Sequence, residues 1–184
     1  MKKVVLVLGL AILGLTHVNA QEVKFGVKGG LNFSTLTGDD TGNTDLVTSF
    51  HFGVVSEISL SEKFSFQPEL LYSGQGFSID NTVYEMNYLN LPLMGKYYLT
   101  KGLSLEAGPQ IGFLLSAKEG STSIKDRFKP IDFGANFGLG YKLENGLNFG
   151  ARYNLGLSNV NDVSELSAKN RNSSLQVSVG YFFF

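Results

Sequence analysis

The fold is decided by Ile131-Asp132-Phe133-Gly134-Ala135-Asn136-Phe137-Gly138-Leu139-Gly140-Tyr141-Lys142-Leu143, which passes through Glu144-Asn145-Gly146 into Leu147-Asn148-Phe149-Gly150-Ala151-Arg152-Tyr153-Asn154-Leu155-Gly156-Leu157. In both halves the odd positions are apolar, while the even positions carry glycine, asparagine and single charges. A period of two is the mark of a β-strand with one apolar face. The three-residue turn makes the halves an antiparallel hairpin. Counting outward from Asn145 sets Leu143 against Leu147, Tyr141 against Phe149 and Phe137 against Tyr153, so apolar side chains meet across the strands as packing on one face requires.

The same alternation extends along the chain. Val23, Phe25, Val27, Gly29, Leu31 and Phe33 form one run. Phe50, Phe52, Val54, Ser56, Ile58 and Leu60 form the next, which turns at Ser61-Glu62-Lys63 into Phe64, Phe66, Pro68, Leu70 and Tyr72. Leu89 to Leu99 turns at Thr100-Lys101-Gly102 into Leu103 to Phe113, and Leu175, Val177, Val179, Tyr181 and Phe183 close the series. Eight strands result. Longer polar connections are expected at Thr35 to Thr48, Gly74 to Asn87, Ser116 to Lys129 and Ser158 to Ser173, alternating strictly with the tight turns. Three prolines, Pro68, Pro92 and Pro109, lie inside strands, where each deletes a ladder bond. Pro92 and Pro109 nearly face one another, and a bulge is expected there.

Eight such strands fit either a soluble carrier barrel, apolar inside, or a membrane barrel, apolar outside. The polar face favours the second. Many of the 22 glycines fall on it; on a solvent-facing exterior they would weaken the strands, whereas in the narrow interior of an eight-stranded barrel they make room for longer neighbours. Rings also collect near both ends of the apolar face. One belt is Phe25, Phe64, Phe66, Tyr97, Tyr141, Phe149, Tyr181 and Phe183; the other is Phe33, Phe50, Phe52, Tyr72, Phe113, Phe133 and Tyr153. Two aromatic girdles around an aliphatic band suit lipid. Charged residues make up only 17% of the chain, below the ~25% of ordinary soluble domains, which agrees.

The first twenty residues read as an export signal. Lys2 and Lys3 precede an apolar run from Val4 to Leu15, too short for the ~20 residues of a spanning helix, and small residues lead to a cleavage expected between Ala20 and Gln21. The organisation is therefore a signal peptide over 1–20 and a single β-barrel domain over 21–184. Removal of the two lysines leaves the mature chain at −3, which excludes a basic nucleic-acid-binding surface. The absence of cysteine excludes disulfides and thiolate metal sites.

Several segments together resemble the outer-membrane β-barrel domain of the PorT-like porin family found in Bacteroidota. They are Phe25-Gly26-Val27-Lys28-Gly29-Gly30-Leu31-Asn32, Gln67-Pro68-Glu69-Leu70-Leu71-Tyr72-Ser73, Tyr88-Leu89-Asn90-Leu91-Pro92-Leu93, Glu106-Ala107-Gly108-Pro109-Gln110 with Gly112-Phe113-Leu114-Leu115, and Gly150 to Leu157. The resemblance implies an all-β, eight-stranded antiparallel up-and-down transmembrane barrel in the outer membrane of a Gram-negative bacterium. It implies lipid and the barrel assembly machinery as partners, with the strand prolines as family features. Many such barrels end on an outward-facing aromatic; here Phe184 is terminal, yet the apolar series ends at Phe183.

Candidate chemistry is sparse. After cleavage His51 is the one remaining histidine, which excludes any metal site or triad built on two histidines; it stands two residues from Ser49, a spacing that some barrel lipid hydrolases use. Asp39, Asp40 and Asp45 lack the ordered spacing of a calcium loop, and no phosphate loop is present. No cofactor is expected. The inward charges are the sharper feature: Lys24, Lys28, Lys96, Lys142 and Arg152 against Glu57, Glu69, Glu106 and Asp132, with Lys96 directly opposite Glu106 and expected to pair with it. The leading reading is a non-enzymatic scaffold presenting four long extracellular loops to surface partners. The alternatives are a component of an outer-membrane secretion or transport complex and a soluble periplasmic lipid-binding barrel.

Overall fold

A computed structural model describes residues 22–38, 44–79, 82–158 and 170–183. Eight long strands form the wall: β1 (Val23–Gly38), β2 (Thr44–Ser59), β3 (Phe64–Ile79), β4 (Thr82–Tyr98), β5 (Leu103–Glu119), β7 (Ile131–Lys142), β8 (Leu147–Gly156) and β9 (Asn170–Phe182). A two-residue strand, β6 (Thr122–Ser123), pairs with the tip of β5 alone and leads into a 3-10 turn at Lys125–Arg127. Every pairing is antiparallel, and β1 against β9 together with β4 against β5 closes the sheet on itself. Closure leaves no open edge, which is what a sheet in hydrocarbon requires.

Register follows the sequence arithmetic around the tight turns. Tyr97 faces Leu105, Leu91 faces Ile111, Tyr141 faces Phe149 and Phe137 faces Tyr153. The β7–β8 turn needs Gly146, whose φ of +90° lies in the left-handed region. The odd-numbered faces of β1, β4, β7, β8 and β9 point outward, as do the even-numbered residues Phe50, Phe52 and Val54 of β2; Phe25, Phe50, Phe52, Phe137 and Leu139 are each more than half exposed. Both ring belts lie on this outer surface, so the apolar face is outside. One member of the outward series, Ile58, is buried between its register partners Val23 and Phe66.

Two expectations need correction. The connections expected at Thr35 to Thr48 and Gly74 to Asn87 are largely strand: β1 and β2 run to Gly38 and from Thr44, and β3 and β4 stay paired out to Ile79 against Thr82. Backbone pairing continues past the ring belt because polar side chains do not prevent it. The bulge expected at Pro92 and Pro109 is absent, since Pro92 still faces Gln110 and Gly95 still faces Ala107 in one register. Pro92 points inward and Pro109 outward, and the ladder skips those pairs without slipping. The shift in these strands lies between Asn87 and Tyr88, where β5 carries Leu115 as an extra residue. A second shift lies in β2 between Leu46 and His51. The cleavage site, Asp39, Asp40, Phe184 and most of the fourth connection lie outside the described residues.

Candidate functional site in the barrel lumen

The inward faces stack in three layers between a proximal mouth, which holds Glu22, Phe183 and the tight turns, and a distal mouth. The layer nearest the proximal mouth is charged. Arg152 on β8 donates to both oxygens of Glu69 on β3 at 3.0 and 2.9 Å and to Glu106 Oε2 on β5 at 2.8 Å. Lys28 on β1 joins Glu69 at 3.1 Å. Lys96 on β4 lies 3.3 Å from Glu106, its register partner, and 3.2 Å from Glu57 on β2. Lys142 on β7 meets Glu57 at 2.5 Å, and the Tyr98 hydroxyl donates to the same oxygen at 2.8 Å. Gln67 accepts from Lys96 and donates to Glu69. Both ammonium groups also lie over the rings of Tyr98 and of Phe182 on β9.

Among the described residues this network joins four cations to three carboxylates and draws on all eight wall strands. Each carboxylate has two or more charged donors, which is the condition for tolerating buried charge. Gly140 makes the layer possible, because a Cβ there would collide with Glu106 Oε1 and lie 2.8 Å from Ser104 Oγ.

The middle layer is made of amides and hydroxyls. Asn154 donates to Asn136, which donates to Gln110; Asn172 donates to Gln75, which donates to Ser73. Asn32 donates to Ser73 and to the Gly74 carbonyl, and its Oδ1 lies 2.7 Å from His51 Nδ1.

The distal layer is apolar. Leu36, Phe77, Met86, Tyr88, Leu114, Ala117 and Ile124 bury one another across the mouth, with Ile79, Tyr84 and Phe128 packed against them. The register shift at Leu115 turns Ala117 inward, and the 3-10 segment lays Ile124 over the opening. The lumen is therefore not polar throughout, and this plug was not expected from the sequence.

Of the sequence candidates, Lys28, Glu57, Glu69, Lys96, Glu106, Lys142 and Arg152 come together. Lys24 does not: it pairs with Glu22 at 3.2 Å at the proximal rim, partly in solvent. Asp132 sits at the distal end of β7, holding Ser158 Oγ and remote from the network. His51 is buried in the amide layer, and Ser49 Oγ donates to the Gly74 carbonyl at 2.5 Å rather than to His51. No group of three or more His, Asp or Glu side chains among the described residues could hold a metal ion. Sequence reasoning missed Gln67, Tyr98 and Phe182 as members of the charged layer; Gln67 and Tyr98 share the inward parity of Glu69 and Lys96, whereas β9 offered no charged candidate beside Phe182.

The comparisons agree with this architecture. No curated protein matches the chain. Among solved structures it is similar to neisserial surface protein A (11% identity, TM-score 0.58), covering 87% of this chain and 98% of that one. It is also similar to the attachment invasion locus protein Ail of Yersinia pestis (14% identity, TM-score 0.54), covering 88% and 99%. At such identities the likeness is one of fold. A family model described as outer membrane protein beta-barrel domain matches residues 19–162. That match spans well over half of the chain, which also forms a closed antiparallel barrel with its apolar face outside, and the chain belongs to the outer membrane protein beta-barrel domain family.

Proposed function

We propose that the protein is a non-catalytic scaffold of the outer membrane, a sealed barrel whose distal strand extensions and connections meet partners outside the cell. The observation that carries this reading is the filled lumen. A charged layer cross-linked from strand to strand lies under an apolar plug, which leaves eight strands no continuous channel. Nucleophilic chemistry finds no support at Ser49, whose hydroxyl is committed to a carbonyl. Tight turns face the periplasm and longer connections the exterior in such barrels, which puts the plug and the extended β1–β2 and β3–β4 hairpins outside. Function on membrane barrels concentrates in such projecting segments on a rigid frame.

The resemblance to the PorT-like family supports a second reading, membership in a secretion complex. A plugged lumen favours contacts made by the outer wall and rims over passage of cargo through the barrel.

The test is to replace connections 39–43 and 159–169 with short turns and to cross-link intact cells. The scaffold reading expects normal insertion, seen as heat-modifiable gel mobility, with loss of the cross-linked species. Unchanged cross-linking would contradict it.

A further inference from the structure

The ion pairs of the charged layer form a single alternating chain. Lys142 holds Glu57, which shares Lys96 with Glu106; Glu106 shares Arg152 with Glu69, and Glu69 ends the series on Lys28. Both ends of the chain are lysines. Among the described residues the layer therefore sets four cations against three carboxylates, an excess of one positive charge. The side chains of Lys28 and Arg152 are no more than 8% exposed, and buried charge of one sign is costly unless an opposite charge meets it.

The register brings the two ends of the chain together. Lys28 of β1 faces Gly180 of β9, Gly180 faces Asn148 of β8, and Asn148 faces Lys142 of β7. The two lysines thus flank one Gly180–Asn148 pair, with no carboxylate between them. The neighbouring inward row is equally small, with Gly140 against Gly150 and Gly150 against Ser178. A cavity of about 10 Å³ lies at this point, with Lys28, Lys142, Arg152, Asn148 and Ser178 in its lining and Glu106 as its one carboxylate. That is about the room one water-sized group needs, and flexible lysine ends can yield to a halide, which is slightly larger.

Donors at this spot outnumber their partners. The Asn148 amide nitrogen is buried with no hydrogen-bond partner, and its side chain lies over Gly180, where a Cβ would come within 2.9 Å of that nitrogen. Lys28 carries three N–H groups and gives them the Glu69 carboxylate as acceptor. Access comes from the proximal mouth: Lys142 lines this cavity and also two open cups of about 480 and 920 Å³, which Lys24 and Lys101 share. The apolar plug closes the other end, so the route is blind.

We propose that one chloride ion, entering from the proximal mouth, sits between Lys28 and Lys142 on the Asn148 amide and closes the alternation of charge. A single monovalent anion cancels the excess, and the small cavity leaves no room for an organic one. This goes beyond the scaffold reading and uses only the geometry of the charged layer.

The test uses the mature protein refolded in detergent micelles, with sodium gluconate replaced stepwise by sodium chloride at constant ionic strength. Wild type should show a urea midpoint that rises with chloride and saturates, together with broadening of the chloride NMR line, and bromide should substitute. Asn148→Asp places a carboxylate between the two lysines, so it should lose the chloride response. Lys28→Met removes the excess charge and should lose it too, whereas Lys24→Gln at the proximal rim should keep it. A wild type indifferent to chloride, an unsaturating dependence shared by all the variants, or a response retained by Asn148→Asp would overturn the site. Should Lys28→Met fail to show heat-modifiable gel mobility, Asn148→Asp, which exchanges one amide nitrogen for oxygen, reads the same loss.

Discussion

Arg152 on β8 and Glu69 on β3 are bridged across the lumen by two parallel hydrogen bonds of 3.0 and 2.9 Å between residues 83 apart in sequence. No strand lies next to both, so the bridge ties opposite walls together. Removing Arg152 leaves Lys28 as the cation on Glu69 and Lys96 as the cation on Glu106. Loss of one partner from a buried ion pair typically costs about 3–5 kcal/mol. Arg152→Met should therefore lower the urea midpoint of the barrel in micelles, and Arg152→Met/Glu69→Leu should recover part of the loss. A single variant as stable as wild type would show that the bridge contributes nothing.

Gly140 tests the same layer by crowding it. A methyl group there would press on the Glu106 carboxylate and the Ser104 hydroxyl, and the flexible end of Glu106 must swing away from Arg152. Gly140→Ala is expected to cost about 1–3 kcal/mol, in line with overpacking of a filled interior. Gly29→Ala, on the outer face with its nearest atom at 3.5 Å, should be neutral. Equal unfolding midpoints for the two variants would argue against a tightly filled lumen.

The chain contains no cysteine, so single cysteines report on one face at a time. Phe137 is 54% exposed on the outer wall, and its neighbour Asn136 is fully buried in the lumen. A fluorophore on Phe137→Cys should be quenched by a lipid-dissolved quencher, whereas Asn136→Cys should resist labelling. The reverse pattern would describe a soluble carrier barrel.

His51 serves the amide layer through Asn32. His51→Ala is expected to leave any lipid deacylation measured with the purified protein unchanged. Loss of a measurable activity on this substitution would overturn the non-catalytic reading.

What was legible in the sequence was local. Turn centres at Lys101 and Asn145 fix which residues face each other on adjacent strands, so Lys96 opposite Glu106 could be read directly. The partners that span the lumen could not: whether Arg152 and Glu69 share a height depends on the stagger accumulated around the barrel, which no single hairpin encodes. The same ignorance of height placed Lys24 and Asp132 with the network, though one lies at the proximal rim and the other near the distal end. The apolar plug was hidden for another reason. Leu36, Phe77 and Met86 keep the inward parity of Asn32, Glu69 and Lys96, but the polar residues around them made those stretches look like loops, while Ala117 lies beyond the extra residue Leu115, where counting by twos fails.

The central claim, a barrel sealed along its axis, is tested most directly by single-channel recording after reconstitution into planar bilayers. Wild type should give no conductance steps. Phe77→Ala, which opens the plug but leaves the charged layer intact, should unfold more readily by about 3–5 kcal/mol and still not conduct. Sustained ion conductance by the wild-type protein would contradict the account.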